Sequence, residues 1–219
     1  MVRLTSFILA LVAPLATARA GVFELDAQIH TGGMYGKGIA GDRKAEAFHQ
    51  GARGFTYGAK VGVEVLFIDG WIEHNQFYDG DRVDGTWTQF MLGFDVKFDM
   101  GDKVGAKPRG DDDRFSRGFG ELGIAAGFGV GTGQQVEPPL DNAQVTDKGF
   151  VAQAHLDFGY RLSRTVSVGL HLPFQVGWLL RSEPAPMGPD PTANEPSNWY
   201  GSVQASALVT LRMNFSLTN

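Results

Sequence analysis

The sequence predicts an all-β protein, a single eight-stranded antiparallel up-and-down transmembrane β-barrel. Three observations carry this expectation. About eight segments alternate apolar and polar residues with a period of two, the signature of strands with one greasy and one wet side. The apolar sides together carry several dozen mostly large side chains, too many for the inside of an eight-stranded barrel, which is just wide enough for its own side chains to fill. After the N-terminal segment no apolar run reaches helix-spanning length, and only helices and closed barrels satisfy every backbone group in lipid.

The N-terminus resembles a secretory signal peptide. Arg3 supplies a positive charge, Phe7 to Leu15 is apolar, and Ala18-Arg19-Ala20 has the small-x-small form of a cleavage site. Residues 1–20 are read as that signal and 21–219 as the barrel. The apolar run is too short for a transmembrane anchor. The chain has no Cys, which excludes disulfides, thiolate metal sites and Cys nucleophiles. Its net charge of -5 argues against a nucleic-acid partner.

Strand one is read over Val22–Thr31, with Phe23, Leu25, Ala27 and Ile29 on its apolar face. A Gly-rich loop follows, Gly32–Arg53. Strand two, Gly54–Phe67, has Phe55, Tyr57, Ala59, Val61, Val63, Val65 and Phe67 on one side. Asp69-Gly70 reads as the tight turn to strand three, Trp71–Tyr78. Strand three has polar groups on both faces. A loop at Asp79–Gly85 leads to strand four, Thr86–Phe98. The charged connection Asp99–Arg117 is either a long loop or partly strand. Strand five is Gly118–Val130, and a polar loop runs to Lys148.

Strand six is Phe150–Tyr160, and a short turn at Leu162–Thr165 leads to strand seven, Val166–Leu180. Pro173 removes one ladder donor there, which a bulge would tolerate. The Pro-rich loop Arg181–Asn198 precedes the last strand, Tyr200–Phe215. In it Val203, Ala205, Ala207, Val209, Leu211, Met213 and Phe215 oppose Ser202, Gln204, Ser206, Thr210, Arg212 and Asn214. An even strand count suits a single-chain bacterial barrel. Aromatics near strand ends, Trp71, Phe98, Tyr160, Trp178, Trp199 and Phe215, are expected to form the two interfacial girdles. The neighbouring Tyr200 is assigned to them as well.

On this pattern the mature chain resembles the small eight-stranded bacterial outer-membrane barrels of the OmpA and OmpX kind. The C-terminal LRMNF resembles the aromatic-ended signal read by the barrel-assembly machinery, although Ser216–Asn219 follow it. The resemblance implies the cell outer membrane as location, after cleavage near Ala20. It implies outer-membrane lipid and the assembly machinery as partners.

With apolar faces outward, the lumen should hold Glu24, Asp26, His30, Lys60, Glu64, Asp95, Lys97, Glu121, His155, Asp157, His171 and Arg212. Charges in a narrow, packed lumen must pair, because burying one alone is costly. That favours a rigid plug over a narrow pore. Strand three poses a separate question, since Glu73 or His74 faces lipid in either register. Glu73, His74 and Asn75 are therefore a candidate partner-facing edge.

No catalytic set emerges. The lipid A deacylase barrels have a signature resembling His-x-Ser-Asn, but Glu73-His74-Asn75-Gln76 and His49-Gln50-Gly51 lack the Ser. Nor does any cluster match the His, Asp and Ser of the palmitoyl-transfer barrels. Asp111-Asp112-Asp113 lacks the alternating spacing of a calcium loop. His30, His155 and His171 lie on different strands, without zinc spacing. No cofactor or metal is expected. The functional expectation is a non-enzymatic barrel whose loops Gly32–Arg53, Gly131–Lys148 and Arg181–Asn198 bind a surface ligand or other envelope proteins, for example in a secretion or gliding machine. The alternatives are a small channel and a lipid A-modifying enzyme.

Overall fold

The computed structural model describes residues 23–41, 54–79, 82–104, 115–134, 144–182 and 199–216. They form β1 (Glu24–Gly41), β2 (Gly54–Val65), β3 (Ile68–Asp79), β4 (Arg82–Val104), β5 (Phe115–Gln134), β6 (Gln144–Arg161), β7 (Val166–Ser182) and β8 (Trp199–Ser216). Each strand pairs antiparallel with its sequence neighbours, and β1 pairs with β8, so the barrel closes without a free edge. Closure satisfies the backbone groups that an open sheet would leave bare.

The register sets strand tilt. A row from Leu25 passes Val63, Gly70, Leu92, Ala126, Ala152, Val176 and Val203, then returns to β1 at Lys37, twelve residues beyond its start. A stagger this large for eight strands tilts them by about 45°. It also places residues far apart in sequence at one height inside the barrel.

Polarity is inside-out relative to a soluble protein. Ile29, Val61, Leu92, Ile124, Phe150 and Val209 all point outward and are exposed, Phe150 at 69%. Glu121, Asp157, His155, His171 and Arg212 point inward and are buried. In β8, Leu208 faces the lumen at 2% exposure among otherwise small or polar neighbours.

Several boundaries differ from expectation. The β2–β3 turn is at Leu66–Phe67, and Asp69 and Gly70 belong to β3. The Asp-Gly pair is a good turn former, but Asp69 is needed inside the barrel, where its carboxylate lies 3.4 Å from Lys60 Nζ. Leu66 carries the turn with φ 64°, a positive value at the first central position that a type II′ hairpin assigns to Gly. Leu66→Gly is expected to stabilise the barrel by about 1 kcal/mol by relieving this left-handed strain, measurable as a higher urea midpoint.

β1 runs on to Gly41 and β4 to Val104, because glycines and polar residues there still complete the ladders. The strands therefore consume half of the first loop and both ends of Asp99–Arg117. They also take in Gly131–Gln134, Gln144–Lys148, Arg181 and Ser182. The pairing of β7 with β8 has no partners at Leu172 and Pro173, which is how the missing Pro donor is tolerated. The signal segment, Asp111–Asp113, His49 and the remaining loop residues lie outside the described residues.

Candidate functional site in the barrel lumen

Every one of the twelve charged or histidine residues assigned to the lumen from the sequence lies on an inward-facing strand position. They meet in layers. At the end where β1 begins and β8 finishes, Lys97 Nζ lies 3.1 Å from Glu24 and also contacts Glu64. Next comes Arg212, whose guanidinium donates to Glu121 at 2.7 Å, Asp157 at 3.1 Å and the Gln28 side chain at 3.2 Å, with Asp26 also 3.2 Å away. The fork of five donors suits Arg to this hub, which a Lys would not fill.

Above Arg212, Lys60 lies against Asp69 and 4.1 Å over the Trp71 ring. His155 is edge-on to that same ring, and His171 contacts Asp157. The next layer is built from amides. Glu73 accepts hydrogen bonds from Asn75 and Gln89, each 2.8 Å, and His30 Nε2 lies 2.6 Å from Asn75 Oδ1. Gln89 reaches Gln153 at 3.3 Å and accepts from the Trp87 indole at 3.0 Å. Toward the far end Asp147 takes two bonds from Arg181, 3.0 and 2.9 Å, and one from Tyr200 at 2.8 Å.

Three assignments are corrected. Trp71 does not belong to a girdle: it is 3% exposed and sits inside. Tyr200 is likewise interior, held by Asp147. Glu73 and Asn75 are buried in the lumen and offer no outward edge; only His74 faces out, where its Nδ1 lies 2.8 Å from Thr88 Oγ1. The register that β3 takes against β2 and β4 turns Trp71, Glu73, Asn75 and Phe77 inward together. The outward side of β3 is thereby left with polar groups, and they satisfy one another. Tyr57 donates to the Gln76 side chain, and Tyr78 donates to Tyr57 at 3.0 Å.

The remaining girdle members do face outward. Trp178 and Trp199 stack with ring centroids 6.4 Å apart near one end. Phe98, Tyr160 and Phe215 are exposed toward the other.

An apolar layer also lies inside the barrel, which the reading of the lumen as small and charged does not include. Met34, Phe77, Trp87, Met91, Val151 and Leu179 are all buried. Their inward parity was readable from the strand alternation, but an expectation of small and charged lumen residues passed over them. This layer and the amide layer leave little space. The gaps among them and near Arg212 are about 10 to 20 Å³ each, room for a single water.

A closed eight-stranded antiparallel barrel with an apolar exterior and a charged, filled interior has the architecture of the small outer-membrane barrels. Two solved structures align with most of this chain. One is the N-terminal β-barrel domain of Pseudomonas aeruginosa OprF, at 12% identity and TM-score 0.43, covering 87% of this chain and 97% of that one. The other is Neisserial surface protein A, at 9% identity and TM-score 0.46, covering 90% and 98%. The translocator domain of the autotransporter NalP from Neisseria meningitidis aligns at 11% identity and TM-score 0.21, covering 98% and 96%. No family model and no curated protein matches the sequence.

Proposed function

We propose that the protein is a non-enzymatic, non-conducting barrel of the cell outer membrane, an anchor whose surface loops engage ligands or other envelope proteins. The observation that carries this reading is the filled lumen. From Lys97 to Asp147 each layer is bridged by side chains, and the described gaps admit a water molecule rather than a hydrated ion. Loops presented by a rigid scaffold are where binding residues concentrate, and here the scaffold is cross-braced through its centre. The N-terminal segment, read as a signal peptide cleaved near Ala20, supports export. Outer-membrane lipid and the barrel-assembly machinery are the partners that follow from the location.

A lipid-modifying activity has less support. His74 and Thr88 form an outward pair, but no carboxylate among the described residues contacts His74, and an activated nucleophile needs its base oriented by a third group. The purified barrel in planar bilayers is expected to give no single-channel steps. Reproducible single-channel steps would favour the channel.

A further inference from the structure

We propose that the lumen contains a binding site for a divalent transition-metal ion, formed by Asp95 on β4, Glu121 on β5 and His155 on β6. One donor atom from each of the three lies within 4.8 Å of the other two, and all three residues are buried. His155 Nε2 is 3.3 Å from Asp95 Oδ1 and 3.6 Å from Glu121 Oε1. Donors held about 2.0–2.2 Å from a tetrahedral zinc stand about 3.3–3.6 Å from one another. Both separations from His155 match donors that share an ion.

The groups point at one another without a hydrogen bond. Asp95 Oδ1 and both ring nitrogens of His155 make none, although the two residues are 4% and 2% exposed; His155 Nε2 meets Asp95, Glu121 and Asp157 only at ion-pair distances of 3.3 to 4.0 Å. Buried polar atoms are nearly always paired, and unpaired ones call for an explanation such as an ion. The backbone is shaped for this cluster. Asp95, Gly123 and His155 form one row across three strands, and a side chain at Gly123 would overlap both the Asp95 carboxylate and the His155 ring. Glycine there leaves the space in which the two ligands converge.

Charge balance adds a second argument. The inward-facing carboxylates of this part of the lumen are Glu24, Asp26, Glu64, Asp69, Glu73, Asp95, Glu121 and Asp157, facing the permanent cations Lys60, Lys97 and Arg212. With more carboxylates than permanent cations, the acids depend on the neighbouring histidines or on a bound cation, and a divalent ion offsets two negative charges. One imidazole with two carboxylates favours zinc, or a neighbouring first-row ion, over magnesium or calcium.

The test uses the full chain folded in detergent, stripped with chelator and titrated with Zn2+ or Co2+. The expected result is one ion per barrel, an X-ray absorption shell with a single imidazole among oxygen donors, and a rise in thermal midpoint on loading. Asp95→Asn and His155→Gln should each weaken binding at least tenfold, whereas His74→Ala should leave it unchanged. No saturable uptake overturns the proposal and leaves His155 as an imidazolium shared among its carboxylates. An all-oxygen shell also overturns it, by moving the ion to loop acids such as Asp111–Asp113. The absorption measurement needs only the unsubstituted chain, so a variant that does not fold leaves the test standing.

Discussion

Replacing Arg212 with Met is expected to destabilise the barrel by about 3–5 kcal/mol, the usual consequence of removing one partner from a buried ionic network. Arg212 is 6% exposed and is the cation nearest to Asp26, Glu121 and Asp157 at once. Methionine keeps much of the volume but leaves Asp26 without its cation, Glu121 and Asp157 with histidines only, and Gln28 without its donor. The loss is greater than for a surface pair because water cannot take over the solvation. Urea unfolding of the lipid-reconstituted barrel reads the change. Adding Glu121→Gln to Arg212→Met should recover part of it, since one orphaned charge is then removed. Equal stability of Arg212→Met and the native chain would mean that the lumen is wet and the plug is not a plug.

Ile124→Arg should cost about 2–4 kcal/mol if Ile124 lies near the bilayer midplane, where a lipid-facing Arg is most unfavourable. Ile124 is 62% exposed and flanked across the ladders by Phe94 and Ala154, which also face outward. Neither of these described ladder neighbours can pair with a guanidinium. The position therefore separates a lipid-facing wall from a water-facing one. On a soluble barrel the same substitution at an exposed site would be neutral or favourable. The measurement is the urea midpoint of the variant in vesicles, with assembly followed by electrophoretic mobility of the unheated sample. The two substitutions probe opposite sides of one wall, and the account requires both to be harmful.

The strand count, the closing role of β8 and the parity of β2, β4, β5, β6 and β7 were all legible, because lipid on one side and a packed lumen on the other enforce strict alternation. β3 was not. Its outward positions carry Ile72, His74, Gln76 and Tyr78, and its inward ones carry Trp71, Glu73, Asn75 and Phe77, so hydrophobicity does not tell the faces apart. Pairing with β2 and β4 decides, and that pairing depends on a turn centred on Leu66, a residue with no turn propensity. Twelve inward-facing charged or histidine residues were identifiable one by one, but not their partners, and Asp69, Glu73, Asp147 and Arg181 were assigned elsewhere. Asp95, Gly123 and His155 become a row only once the register of three strands is known. A slip of one residue in any of them would send a side chain to the other face. For the same reason the separate strands of His30, His155 and His171 gave no metal spacing, while the fold brings His155 to two acids.

The four tryptophans provide the most direct test of which way the wall faces. Trp178 and Trp199 are 51% and 37% exposed on the outside, whereas Trp71 and Trp87 are 3% and 4% exposed in the lumen. In single-tryptophan variants reconstituted into vesicles with brominated acyl chains, fluorescence from Trp178 and Trp199 should be strongly quenched and that from Trp71 and Trp87 spared. Quenching of Trp71 and Trp87 with Trp178 and Trp199 spared, or no quenching of any of the four, would contradict a barrel that turns its apolar side to lipid.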